Sequence, residues 1–238
     1  MIVYIDLEHS RLRQEPAVWQ FFASQTLEAK YRLEAISGAS CLIVHYTRLT
    51  PALLHQLGAQ AIVVGGHYTG LWHYAPGDLA GLQAVLREAG WPILGICGGF
   101  HLMVQTYGAQ VGPMQDRQDM SHSPPETPLP PGMPGSGSSG LEPRQERGFK
   151  PVRVLETHPL LDGLGRQPVV FQLHSWEAKS APDGFRVLAE SELCRVQAIA
   201  HEQLPLFGTQ FHPESYDDEH LDGKRILENF FKMVGIRH

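Results

Sequence analysis

The sequence predicts an α/β protein: a three-layer sandwich with a mostly parallel central sheet, helices on both faces and antiparallel strands appended. Two observations carry this expectation. Over residues 2–106, short apolar runs alternate with longer stretches of helical periodicity, the pattern of βαβ units covered on both faces. From Phe149 onward, strand-like runs follow one another across turns such as Pro182-Asp183-Gly184, as antiparallel hairpins do.

The elements are expected in this order. Ile2–Leu7 is a continuous apolar run and reads as a buried strand. Pro16 to about Ile36 carries Val18, Phe21, Phe22, Leu27 and Leu33 without turn residues and reads as a helix. Cys41–Val44 is the second strand, and Pro51–Leu57 a short helix with proline near its start. Ala61–Val64 is the third strand and stops at Gly65-Gly66-His67. From Asp78 to Ala89, Leu79, Leu82, Val85, Leu86 and Ala89 share one helical face, ended by Gly90 and Pro92. Ile93–Ile96 is the fourth strand and passes through Gly95-Ile96-Cys97-Gly98-Gly99 into a further helix. Later strands are expected at 152–155, 169–173, 185–188, 196–200 and 206–211, and a closing helix at Glu219–Val234, whose N-terminus Asp217, Asp218 and Glu219 suit.

The composition, 42% hydrophobic and 18% charged over 238 residues, suits one domain spanning 1–238. A net charge of -6 argues against nucleic acid or an anionic membrane as the main partner. No apolar run approaches the roughly 20 residues of a membrane span, and Met1–Asp6 lacks the features of a secretion signal. Three cysteines without metal or redox spacing fit a reducing cytoplasm, with Cys41 and Cys194 expected in the core. His67 and His73 belong to no recognisable ligand spacing, so no metal is assigned. Residues from about 112 to 148, rich in Pro, Gly and Ser, are expected to form a flexible insertion within the domain.

The chemistry centres on Cys97. A side chain on a sharp strand-to-helix turn sits in strained backbone geometry, so Gly95 and Gly99 must let strand and helix pass closely. The helix N-terminus favours the thiolate, and Cys97 reads as a nucleophile; an ordinary buried cysteine is the alternative. A base is required. Phe211-His212-Pro213-Glu214 ends a strand-like run in which alternate residues share a face, so Glu214 could orient His212 toward the thiol. Parallel sheets bind ligands at the carboxyl ends of their strands, where the Gly65-Gly66 turn and Cys97 are therefore expected to converge.

The set Gly65-Gly66, Gly95-Ile96-Cys97-Gly98-Gly99 and Gln210-Phe211-His212-Pro213-Glu214 resembles the class I glutamine amidotransferases, with their flavodoxin-like fold and Cys-His-Glu triad. The tract His174-Ser175-Trp176-Glu177, with Pro182–Phe185 and Cys194–Ala198, is similar to the stand-alone members allied to the amidotransferase subunit of guanylate (GMP) synthetase. The resemblance implies that Cys97 attacks the glutamine carboxamide, that Gly66 and Gly98 N–H groups stabilise the oxyanion, and that His212, oriented by Glu214, transfers protons. It implies no cofactor. It also implies that Gly65 and the backbone at His174, Ser175 and Trp176 help to hold L-glutamine or another γ-glutamyl amide. Relatives usually carry glutamine where this sequence has His101, and an imidazole cannot present an amide's paired donor and acceptor. With no nucleotide-binding loop in the sequence, released ammonia is expected to pass to a separate synthetase or ligase chain. The alternatives are a free-standing γ-glutamyl hydrolase and a non-catalytic regulatory subunit.

Overall fold

The computed structural model describes residues 1–75, 77–114 and 145–236. Its first half is four strand–helix units: β1 (Ile2–Asp6), α1 (Pro16–Ser37), β2 (Cys41–His45), α2 (Pro51–Gln56), β3 (Ala61–Val64), α3 (Ala80–Glu88), β4 (Ile93–Ile96) and α4 (Gly98–Thr106). The second half adds β5 (Val111–Pro113), β6 (Glu146–Pro151), β7 (Arg153–Val154), β8 (Val169–His174), β9 (Trp176–Ala178), β10 (Phe185–Glu190), β11 (Ala198–His201), β12 (Leu206–Thr209) and α5 (Asp222–Met233).

Eight strands form the central sheet in the order β2-β1-β3-β4-β12-β11-β10-β7. The first five run parallel; β12, β11, β10 and β7 are joined antiparallel. The predicted class is therefore observed, with one instructive feature. The last strand in sequence of the parallel set, β12, inserts beside β4 rather than at an edge, pairing Gly208 with Gly95 and Thr209 with Ile96. Apolar residues cover both faces, as the uninterrupted runs of β1, β3 and β4 require. One core gathers Tyr4, Leu33, Leu94, Leu227 and Phe230 beneath α1 and α5; the other gathers Ile5, Leu54, Leu82, Phe100 and Met103 beneath α2, α3 and α4.

Local signals explain the boundaries. Pro16 opens α1, and Gly38 ends it in the left-handed region at φ 68°. Thr50 Oγ1 accepts from Leu53 N–H at 3.1 Å to cap α2, which begins at Pro51. Among the described residues, no helix is long and apolar enough to cross a membrane.

Two local expectations change. The stretch read as unstructured from 112 to 148 contributes strand at both ends: Val111–Pro113 pairs with β9, and Glu146–Pro151 pairs with β8 over six residues. Glu-Arg-Gly-Phe-Lys-Pro has no apolar alternation, so its extended form comes from pairing rather than propensity. The expectation for 115–144 lies outside the described residues. Secondly, strand alternation does not bring His212 to Glu214. The strand ends at Thr209, and Pro213–Ser215 forms a 3-10 turn that returns the carboxylate to the ring.

Candidate active site

Three adjacent strands deliver the site. β3 runs into Gly65-Gly66, β4 into Cys97, and β12, through Gln210 and Phe211, into His212. The glycine turn and the elbow converge as expected, and Gly99 N–H donates to Gly65 O at 3.0 Å. Cys97 has φ 49° and ψ -101°, in the region where a side chain strains the backbone, and it caps α4. The close approach explains the glycines. A Cβ on Gly99 would lie 2.4 Å from Val64 O, and one on Gly95 would lie 2.9 Å from the Gly99 backbone. A Cβ on Gly66 would lie 3.1 Å from His212 Cε1 and 3.6 Å from Cys97 Cβ, so glycine, thiol and imidazole share one small volume.

The Cys97 amide donates to Thr209 O at 2.7 Å and is unavailable to a ligand. By contrast, the N–H groups of Gly66 and Gly98 have no acceptor among the described residues. His212 Nδ1 meets Glu214 Oε1 at 2.7 Å, and its backbone N–H donates to Phe171 O at 2.8 Å. Both ring and carboxylate are mostly buried. Burial opposes a charged His212, but the Glu214 carboxylate and then the Cys97 sulfur outweigh it and hold the imidazole well above the usual histidine value. Its Nε2 is buried and unpartnered. The other two thiols are core groups, as expected: burial pushes Cys41 up to about 11 and raises Cys194 further.

Cys97 lies between two cavities. One, of about 400 Å³, is lined by Tyr68, Trp72, His101, Ser175 and Trp176, and among the described residues none in its lining is Asp, Glu, Lys or Arg. The other, of about 410 Å³, lies on the His212–Glu214 side, with Arg147, Phe149, Phe171 and Tyr216 in its wall. His67, Ser175, Trp176, His212 and Glu214, all lining one or both cavities, each hold a buried polar atom without a partner among the described residues. Native proteins rarely leave such groups unmatched, and their clustering here marks a ligand site. Among the described residues, no group of three or more His, Cys, Asp or Glu side chains is placed to hold a metal.

His101 is buried, and its Nε2 meets Gln210 Oε1 at 2.7 Å. Burial pushes its titration down to about 3, so it is a neutral ring donating through Nε2. Gln210 Nε2 in turn approaches Cys97 Sγ at 3.8 Å. His174, although on the expected strip, has both ring nitrogens engaged inside the protein; Ser175 and Trp176 lie at the wall with unpartnered Oγ and Nε1.

Sequence reasoning missed Gln210 as a link between His101 and Cys97, and it missed Arg32. From α1, the Arg32 guanidinium donates to Glu214 O at 2.7 Å and to Tyr216 O, and stacks over the Tyr216 ring at 4.4 Å. It thereby fixes the turn that carries the carboxylate. Glu8 was missed too; its buried carboxylate accepts from Tyr68 and Thr69 N–H and anchors the loop after Gly66. Neither Arg32 nor Glu8 carries a local sequence signal, because each acts on backbone far away in the chain.

The family model described as "Glutamine amidotransferase class-I" matches residues 34–234. The glutamine-hydrolyzing GMP synthase subunit of Pyrococcus abyssi is 34% identical over 60% of this chain and 61% of its own length. The same subunit of Archaeoglobus fulgidus is 32% identical over 63% of this chain and 66% of its own length. The chain thus aligns with somewhat less than two thirds of the length of these two relatives. Among solved structures, a Thermoplasma acidophilum protein described as a GMP synthase subunit superposes with a TM-score of 0.71 at 22% identity, covering 99% of this chain and 94% of that one. A glutamine amidotransferase of Thermotoga maritima gives a TM-score of 0.61 at 15% identity, covering 98% and 96%. These structural likenesses establish the fold.

Proposed function

The chain belongs to the class I glutamine amidotransferase family, and on that premise we propose that it hydrolyses the side-chain amide of glutamine through a Cys97 thioester and supplies ammonia to a separate synthetase chain. The observation that carries the reading is His212: bound to Glu214, held toward its charged form, and beside Cys97 with an unpartnered Nε2.

The steps follow from these positions. Cys97 thiolate adds to the carboxamide carbon, and the Gly66 and Gly98 N–H groups receive the oxyanion, each contributing about 3 kcal/mol to barrier lowering. As the C–N bond breaks, imidazolium His212 protonates the departing nitrogen and ammonia leaves. Neutral His212 then takes a proton from water, which attacks the thioester; glutamate is released and the thiol restored. Throughout, Glu214 holds the imidazole through Nδ1. The glutamyl portion occupies the cavity walled by Ser175 and Trp176, where Ser175 Oγ, Trp176 Nε1 and His67 offer unpartnered polar groups. The relatives, named as glutamine-hydrolyzing subunits of GMP synthase, support a synthetase as the receiving chain.

Ammonia released from L-glutamine tests this reading. Turnover should be abolished in Cys97→Ala and increased when a synthetase partner is added; full turnover by Cys97→Ala would refute it.

One observation favours a second reading. The cavity on the His212 side, where the leaving nitrogen departs, has about 410 Å³, far more than ammonia fills. A γ-glutamyl amide with a bulky amine would fit, making the chain a γ-glutamyl hydrolase. Comparing kcat/KM for glutamine with that for an N-aryl γ-glutamyl amide decides between them: preference for the substituted amide, with no response to a partner, selects the hydrolase.

A further inference from the structure

On the reading that Cys97 attacks a γ-glutamyl amide, we propose that His67 is a further substrate-contacting residue, which hydrogen-bonds the scissile amide where it crosses from one cavity to the other. Among the described residues, only His67, Tyr68 and Cys97 line both cavities. A substrate with its glutamyl part in one cavity and its nitrogen toward the other crosses at these residues. Its carbonyl carbon must sit at Cys97, so the group at the crossing is the amide itself. Tyr68 packs its ring on Phe22, with centroids 5.2 Å apart. His67 brings two ring nitrogens, both buried and both without a partner among the described residues. Buried polar groups in native proteins are rarely left unmatched, and a ligand at the crossing supplies the missing partner.

The ring is built into this position. His67 follows Gly66 in the turn after β3, and its imidazole lies on Gly98, the first residue of α4. A Cβ on Gly98 would meet His67 Cδ2 at 2.1 Å and Nε2 at 2.7 Å, so glycine at 98 makes room for the ring. Gly66 and Gly98 are the residues proposed to receive the oxyanion; His67 adjoins the first along the chain and the second by packing. The Tyr74 ring meets the imidazole edge-on with centroids 6.0 Å apart, and Tyr74 Oη donates to Leu7 O at 2.6 Å. The Glu8 carboxylate accepts from Tyr68 and Thr69 N–H and pins the residues that follow.

Burial lowers the titration of His67 below the usual histidine value, although the Glu8 carboxylate and the Thr69 backbone oppose it. The ring is therefore neutral at pH 7 and keeps one N–H and one lone pair. Either suits a carboxamide: the N–H bonds its oxygen, and the lone pair accepts from its nitrogen. The amide thus meets an uncharged imidazole in His67 and a charged one in His212, which Glu214 and Cys97 hold toward the protonated form.

Substitutions at 67 separate hydrogen bonding from packing. His67→Phe keeps a ring on Gly98 without a polar atom, whereas His67→Asn and His67→Gln place an amide near the positions of Nδ1 and Nε2. With the γ-glutamyl amide that the wild-type protein prefers, kcat/KM should fall about ten- to a hundred-fold in His67→Phe, and at least one amide variant should recover most of that loss. A His67→Phe protein within about three-fold of wild type, or two amide variants no better than it, overturns the proposal. Should the variants fail to fold, Cys97→Ala decides. In its ¹H–¹⁵N histidine spectrum a ring nitrogen of His67 should shift on saturation with L-glutamine, whose amide this variant leaves intact; an unmoved His67 overturns the proposal. A wild-type protein inert to both glutamine and N-substituted γ-glutamyl amides would instead refute the functional reading on which His67 acts.

Discussion

His101→Gln tests the electrostatics of the site through stability. The wild-type ring titrates at about 3 in the folded protein, against 6.5 when solvated. A histidine with a lowered folded value leaves the unfolded chain binding more protons between those two values. Stability is therefore complete above about pH 6.5 and falls as pH drops toward 3. Each pH unit in that window removes about 1.4 kcal/mol, so lowering the pH from 6.5 to 5 should cost about 2 kcal/mol from this residue alone. For a chain of this size that corresponds to roughly 4–8 °C in Tm. Glutamine is non-titrating and can still donate to Gln210 Oε1, the bond that His101 makes. Differential scanning calorimetry of both proteins at the two pH values isolates the term, because every other titrating group cancels in the difference. His101→Gln should lose less Tm on acidification by that amount. Equal losses would refute the claim that His101 is a buried neutral ring.

Three further outcomes are expected. Glu214→Gln removes the charge that most raises His212, so the alkaline limb of the kcat/KM profile should move to lower pH and kcat should fall roughly a hundred- to ten-thousand-fold; because a raised histidine stabilises below its unfolded value and loses that contribution as pH rises through its folded value, the Tm gap to wild type should be widest below about pH 6.5. Gly99→Ala would press a Cβ to 2.4 Å from the Val64 carbonyl and should destabilise by about 1–3 kcal/mol in urea unfolding. Arg32→Ala removes the Nη1 donor to both Glu214 O and Tyr216 O and the stack on the Tyr216 ring, so kcat should fall while KM for glutamine changes little in steady-state assays.

Much of the fold was legible because its signals are local. Uninterrupted apolar runs such as Ala61–Val64 belong to strands buried on both faces, and Pro51 marks the start of α2 by backbone chemistry alone. The elbow was legible too, since Gly95, Cys97 and Gly99 record a steric requirement in residue type. What was hidden depends on distant partners. β6 is extended because β8 runs beside it, and nothing in Glu146–Pro151 announces that. His212 and Glu214 were paired by the sequence for a reason the structure replaces: a 3-10 turn held by Arg32 brings them together, 182 residues from that arginine in the case of Glu214. His101 could be recognised as a substitution, yet its neutral state follows from burial beside Gln210, a contact between α4 and the end of β12 that no spacing encodes.

The central claim is that Cys97, placed between the two cavities, becomes acylated by the γ-glutamyl group of glutamine. Rapid acid quench of the protein during turnover, followed by peptide mass spectrometry, measures this directly. The claim predicts a mass gain of one γ-glutamyl group on the peptide containing Cys97, lost on treatment with hydroxylamine and absent from Cys97→Ala. Turnover of glutamine with Cys97 unmodified, and undiminished in Cys97→Ala, would contradict it.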